Sequence, residues 1–459
     1  MKLIPHFIHR RIAHRPNLIK IIDNIGWLFF DKILRMGVGV FVGVWIARYL
    51  GPKQFGLLNF ATAFVGLFSA ISVLGLQSIV VRDLVRDPQC RDETLGTAAV
   101  LQFVGGLLAY GFIIAAIFWM RADDQLSKTL VAILGATMLF KASDVAMYWF
   151  ESQVQSKYTV WVQNGVFLIF TGINVALIMN NAPLIAFAWV MTTQALIVAL
   201  SLLIVLGLRG PGLRLLQARM SRAKSLLADS WPLFLSSIAV MIYMKIDQIM
   251  LGQMIGDEAV GIYSAAVRIS EVWYFVPMSI VGSVFPAILE AKKRSEVQYI
   301  QRLQRLYDFV VAITATCAIP LWILSDLIIL FLFGDAYSDS AQILSIYIWN
   351  AVLVAMGTAR GKWLITENLQ KLGFLYIGVS MLVNVTGNFL LIPQYGGSGA
   401  AWATLFSTLT ATLIAPGFFK KTRISSLMLL RSLSPIHWYA SYFNDLTRIL
   451  NRAARTYKK

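Results

Sequence analysis

Twelve ionisable side chains fall inside long apolar stretches of this chain: Asp31, Lys32, Arg35, Lys141, Asp144, Lys245, Asp247, Arg268, Glu271, Asp326, Arg360 and Lys362. In hydrocarbon a charge costs about 2.5–3.5 kcal/mol on insertion scales, so such residues pair with one another or line a wet pathway. Seven of the twelve are basic. Walls with a cationic bias suit an anionic cargo, because Arg and Lys hold phosphate oxygens well. A carboxylate among them can take up a proton and reset the local charge. The four histidines (His6, His9, His14 and His437) all lie near the chain ends, so none serves that role inside a stretch.

Spacing sorts the twelve. Asp31/Arg35 stand four apart, and Lys141/Asp144 and Arg268/Glu271 three apart, so each pair shares one helix face. Each pair is either a local ion pair or part of a pathway. Lys245 and Asp247 are two apart and point to nearly opposite faces, so each needs a partner elsewhere. Lys32 and Lys362 fit snorkelling to an interface. Arg268, Lys141, Arg360 and Asp247 sit deeper and are expected to line a cavity. Asn164, Asn174, Gln194, Asn350, Asn384 and Asn388 add polar groups that suit hydrogen bonds between helices.

The elements that position these residues are membrane helices. The 459 residues are 58% hydrophobic and 14% charged, with mean hydropathy +0.68. Soluble domains lie near 45–50% apolar and about 25% charged. A soluble enzyme and a disordered chain are therefore excluded. Twelve apolar segments are expected, at 24–48, 57–80, 96–120, 128–150, 160–180, 183–208, 231–253, 260–286, 308–333, 342–366, 371–393 and 399–419. Each approaches the roughly 20 residues that span a bilayer. Turn residues separate several of them, as at Gly51-Pro52 and Gly396-Gly397. Pro277, Pro286, Pro320 and Pro416 can kink their helices.

The net charge of +17 is orientation signal. Of 40 Lys and Arg, 29 fall in the two tails and every second loop, four in the alternate loops, and seven within segments. Basic residues mark the cytoplasmic side. Both termini are thus expected to be cytoplasmic, in a multi-pass protein of the inner (cytoplasmic) membrane. Residues 1–22 lack a continuous apolar core, so segment one is expected to act as an uncleaved anchor. The basic tail 420–459 reads as amphipathic and membrane-surface bound. Nucleic acid is not an expected partner. Cys90 and Cys317 are too few for a disulfide framework or a zinc site, and no cofactor is expected. GxxxxGK[ST] and HExxH motifs are absent and the outer loops are short, so no enzyme is expected.

A weak repeat aligns 49–61 with 254–266, matching Gly51/Gly256, Gly56/Gly261 and Ala61/Ala266. The offset implies two halves of six spans running in the same direction, as in several transporters. The expected organisation is a basic N-terminal tail (1–23), a first bundle (24–208), a basic linker (209–230), a second bundle (231–419) and the C-terminal tail (420–459).

The stretch KIDQIMLGQMIGDEAVGIYSAAVRISEVWY (245–274), continued by FVPMSIVGSVFPAIL (275–289), resembles the signature region of bacterial O-antigen and polysaccharide repeat-unit flippases. So do ARYLGPKQFGLLNFATAF (47–64) and LGLQSIVVRDL (74–84). These flippases belong to the superfamily that includes multidrug exporters. The resemblance implies an all-α polytopic membrane protein: twelve helices, as two six-helix bundles around a central cavity. It implies alternating access that carries an undecaprenyl-diphosphate-linked oligosaccharide, the O-antigen repeat unit of lipopolysaccharide or a relative, to the periplasmic leaflet. It also implies ion coupling, as in antiport. Asp247, Arg268 and Glu271 lie in the matching motif. The expected substrate-binding groups are Arg268, Lys141, Arg360 and Lys245, and the expected ion-coupling groups Asp247, Glu271 and Asp144. Membrane lipids, a glycan polymerase and a chain-length regulator are the expected partners. The alternatives are an ion-coupled drug exporter and a membrane enzyme or scaffold of glycan assembly.

Overall fold

Backbone N–H and C=O groups have no water partner in hydrocarbon, so apolar stretches of this length must bond internally as helices. The computed structural model describes residues 16–434, and no strand occurs among them. The four histidines and the C-terminal residues 435–459 lie outside the described residues. The chain divides between Ile249 and Met250 into two units.

The first unit contains α1 (Pro16–Leu67), α2 (Ser69–Val73), α3 (Leu76–Arg86), α4 (Arg91–Met120), α5 (Gln125–Gly135), α6 (Asp144–Ser152), α7 (Lys157–Met179), α8 (Leu184–Arg209) and most of α9 (Met220–Met254). Helix α1 starts with Pro16 at a first-turn position, where its missing N–H costs nothing. It begins eight residues before the expected segment. Between α5 and α6 the chain tightens into a 3-10 stretch, Ala136–Ser143. The core joins α3, α4, α6, α8 and α9 through Leu76, Val80, Leu95, Val145, Leu206 and Leu226. Within it Gln102 Nε2 donates to Tyr148 Oη at 2.8 Å, which gives the buried phenol a polar partner, while Gln102 Oε1 is buried without one.

The second unit contains α10 (Asp257–Glu271), α11 (Phe275–Arg294), α12 (Glu296–Ile323), α13 (Ser325–Phe333), α14 (Ser340–Thr366), α15 (Gln370–Leu409), α16 (Ala415–Phe418) and α17 (Lys420–Ser432). A π-helical turn, Thr410–Ile414, links α15 to α16. Helix α14 packs on α10, α11, α12, α13 and α15 and is the most enclosed helix of the unit. Tyr263, Tyr299, Tyr307, Tyr337 and Tyr376 are fully buried here. Buried phenols need polar partners. Tyr299 donates to Glu367 at 2.8 Å, while Tyr307 and Ser425 lie 3.1 Å apart and Tyr376 and Thr422 2.7 Å apart.

Ten helical stretches among the described residues are long and apolar enough to cross a membrane. Two of them contain a break where turns were expected. Gly51 (φ 70, ψ 170) interrupts α1, and Gly396 (φ 54, ψ −131) interrupts α15. The repeat is visible at the same place. Gly256, aligned with Gly51, has φ 124 and ψ 173, a region nearly closed to other residues. The aligned Phe55/Val260 and Ala61/Ala266 are buried in both copies.

Three expectations change. The basic stretches 220–230 and 296–307 are helical, because a helix continues past its apolar part wherever the backbone can bond internally. Asp326 does not lie inside a span: a break at Leu324 places it, exposed, in the first turn of the short helix α13. The first part of the basic tail, α17, packs on α12 through Ser425, Met428 and Ser432, and Thr422 meets Tyr376 of α15, rather than the helix only resting on a membrane surface.

Candidate functional site

The intramembrane charges fall in both units. In the first unit, the 3-10 geometry of 136–143 eclipses residues three apart and so aligns Lys141 with Asp144. Their Nζ and Oδ2 atoms are 3.6 Å apart, and Lys141 keeps part of its side chain accessible. On α9, the stem of Lys245 lies over Gly66. A Cβ built on that glycine would stand 3.8 Å from Lys245 Cγ. Asp247, two residues on, is only 4% exposed.

The Asp31/Arg35 pair also forms, at 2.7 Å. Arg35 reaches further than one helix. Its Nε donates to Asn164 at 3.2 Å and its Nη2 to Gln163 at 3.3 Å, both on α7, and its guanidinium stands 5.7 Å from the Phe167 ring centroid. Asn164 Nδ2 is buried without a hydrogen-bond partner. This cross-helix cluster was not among the expected site residues. The charges within one helix were readable from spacing, whereas Asn164 fitted an ordinary hydrogen bond between helices and Gln163 carried no signal of its own.

In the second unit, Arg268 is half-buried on α10, and Glu271 is the exposed last residue of that helix. Arg360 is 5% exposed. It donates to the main-chain carbonyls of Ala411 and Thr412 in the π-helical turn, and its guanidinium lies 5.6 Å from the Tyr376 ring centroid. A π turn leaves carbonyls poorly bonded, and a guanidinium can satisfy two at once. Asn350 donates to Tyr274 at 2.9 Å, Asn384 to Thr404 at 3.5 Å and Asn388 to Asn384 at 3.3 Å. These amides bond between helices or along one.

The charged segment 209–230 is pinned to the first unit. Arg222 donates to Asp83 at 2.9 Å and to Thr94 at 3.1 Å, and Arg219 pairs with Glu93. The Gln217 N–H donates to Asp92 O. Gly96 permits this approach, since a Cβ there would lie 2.5 Å from Gln217 O. Arg82 pairs with Asp83 at 2.8 Å and with Asp229. Those two carboxylates hold the Arg82 proton well above its ordinary pKa. Asp124, the N-cap of α5, accepts from Ser127 N at 3.0 Å. Burial opposes its charge, but the Ser127 bonds and Arg121 leave its pKa below the usual carboxylate value. Among the described residues, no group of three His, Cys, Asp or Glu could hold a metal ion.

Two helical units with charged groups inside long apolar helices define a multi-pass membrane protein. The family follows from the comparisons. The family described as polysaccharide biosynthesis protein matches residues 21–292, more than half of the chain, and the chain belongs to it. The MatE family matches residues 232–390. The chain is 21% identical over 401 residues to a protein of Haloferax volcanii described as the probable flippase AglR, covering 84% of this chain and 81% of that one. It is 26% identical over 190 residues to a putative O-antigen transporter of Shigella dysenteriae, covering 41% of this chain and 47% of that one. Its fold is similar to that of the lipid II flippase MurJ in an inward closed conformation: TM-score 0.71, 16% identity, 92% of this chain and 93% of that one covered.

Proposed function

We propose that this protein is a flippase that moves an undecaprenyl-diphosphate-linked oligosaccharide, an O-antigen or related repeat unit, from the cytoplasmic to the periplasmic leaflet by alternating access. The observation that carries this reading is the family match over 21–292, in a chain that keeps several cations inside apolar helices. The names of its relatives support the cargo class. A diphosphate cannot cross hydrocarbon unaided. Lys141, Lys245 and Arg268 neutralise it in turn, while the lipid tail stays in the bilayer. Arg360, first expected among these groups, gives its two Nη groups to carbonyls of the π-helical turn and keeps a buried Nε without a partner, and we assign it to holding that turn. Asp247, Glu271 and Asp144 exchange the coupling ion.

Breaks at Gly51 and Gly396 make twelve crossings of the ten stretches, with both termini cytoplasmic and the protein in the bacterial inner membrane. A glycan polymerase and a chain-length regulator are the proposed partners. The test is transport of fluorescent lipid-linked oligosaccharide in proteoliposomes under an imposed ion gradient. Wild type is expected to respond to the gradient, and Asp247→Asn with Glu271→Gln is expected to lose that response. An unchanged response in the double variant would overturn the coupling assignment. The MatE match favours a second reading, an ion-coupled drug exporter. Drug resistance on expression, without glycan transport, would select it.

A further inference from the structure

A cavity of about 430 Å3 opens in the second unit beside α17, with Glu296, Tyr299, Trp363, Glu367, Lys421 and Ile424 among its lining residues. Helix α17 is turned in an unusual way. Its small polar residues Thr422, Ser425, Ser426 and Ser432 face inward together with Met428 and Leu429, whereas Ile424, Leu427, Leu430 and Leu433 are 41–50% exposed. A helix that shows its aliphatic side outward is placed against acyl chains. It also carries Lys420, Lys421, Arg423 and Arg431, with no acidic residue.

The charges of the cavity are specific. Glu367 is already satisfied by Lys292 at 2.6 Å and by the Tyr299 hydroxyl at 2.8 Å. Lys421 and Glu296 are exposed, and neither has an ion-pair partner among the described residues. One cation and one carboxylate without ion-pair partners therefore face the same opening, beside the Glu367 carboxylate that Lys292 holds. A purely anionic headgroup would be drawn to Lys421 and repelled by Glu296.

We propose that this cavity binds a membrane phospholipid whose headgroup joins a phosphate to a primary ammonium, as phosphatidylethanolamine does. Lys421 donates to the phosphate. The lipid ammonium donates to the Glu296 carboxylate. The acyl chains lie along Ile424 and Leu427, and the cavity wall is formed by Trp363. The full chain, delipidated in detergent, is titrated by native mass spectrometry with phosphatidylethanolamine, phosphatidylglycerol and phosphatidylcholine. Phosphatidylcholine offers the same phosphate and net charge but no N–H donor. Wild type is expected to bind phosphatidylethanolamine about tenfold more tightly than either competitor, the size of one charge-assisted hydrogen bond. Lys421→Gln is expected to weaken all three lipids. Glu296→Gln is expected to remove the preference for phosphatidylethanolamine and leave phosphatidylglycerol binding equal or stronger. Both side chains are exposed, so both variants should melt like wild type without lipid. Equal or tighter binding of phosphatidylglycerol by wild type would overturn the proposal in favour of an anionic-lipid site. Unchanged phosphatidylethanolamine binding in either variant would also overturn it.

Discussion

Asp83 accepts from two arginines that differ in burial, and the difference sets what each is worth. Arg222, with 20% of its side chain exposed, reaches Asp83 at 2.9 Å and Thr94 at 3.1 Å. Arg82, with 46% exposed, reaches the same carboxylate at 2.8 Å. A hydrogen bond to a charged group contributes about 1.5–3 kcal/mol when shielded, and an exposed ion pair about 0–1 kcal/mol. Arg222→Ala removes two such bonds and frees the pinned segment, so we expect a loss of about 2–3 kcal/mol. For a unit of this size that lowers Tm by about 4–10 °C. Arg82→Ala is expected to cost under about 1 kcal/mol. The assay is thermal unfolding in detergent for wild type, Arg222→Ala, Arg82→Ala, Asp83→Ala and the Arg222→Ala/Asp83→Ala double variant. The double-mutant cycle should return a coupling of about 1–2 kcal/mol between Arg222 and Asp83. Equal effects of the two arginine variants, or a coupling near zero, would refute the claim that the buried contact pins this segment.

Other expectations concern the backbone, the π turn and pH. Gly51→Ala and Gly256→Ala should each cost about 1–3 kcal/mol, since both positions hold positive φ with extended ψ; melting points equal to wild type would remove the structural argument for the repeat. Arg360→Lys keeps the charge but loses the two-pronged contact with Ala411 and Thr412; proteolysis near residues 410–414 should quicken, and an unchanged cleavage pattern would argue against the structural role. The folded pKa of Asp124 is depressed, so its capping contribution is present above the unfolded carboxylate value of about 3.9 and fades as pH falls through the folded value. The Tm gap between wild type and Asp124→Ala should therefore be widest near neutral pH and narrow in acid, whereas a gap independent of pH would count against the charged cap.

The helices were legible because hydropathy alone forces internal bonding in lipid, and the two breaks because Gly51-Pro52 and Gly396-Gly397 supply the needed conformations. The helical extents over 220–230 and 296–307 were not, because those stretches are rich in charged and polar residues and an apolar-run criterion stops short of them. The Asp31/Arg35 and Lys141/Asp144 pairs followed from spacing on one helix. The reach of Arg35 to Gln163 and Asn164 on α7 did not, since neighbouring helices are set by tertiary packing. Arg360 shows the same limit from the other side. Its depth was readable, but its partners are carbonyls exposed by a π turn that no residue pattern announced. The basic tail reads as amphipathic in sequence, and in its described part the serine side, which faces α12, is visible only once that helix is in place.

The central claim is that the chain carries lipid-linked oligosaccharide across the membrane. Its most direct test is the leaflet distribution of that lipid in cells lacking the gene, read with a membrane-impermeant sugar-modifying probe at the periplasmic face. The expected result is accumulation of complete repeat units on the cytoplasmic side, relieved by wild type and not by Arg268→Ala. Incomplete units, or normal surface glycan with no accumulation, would contradict it.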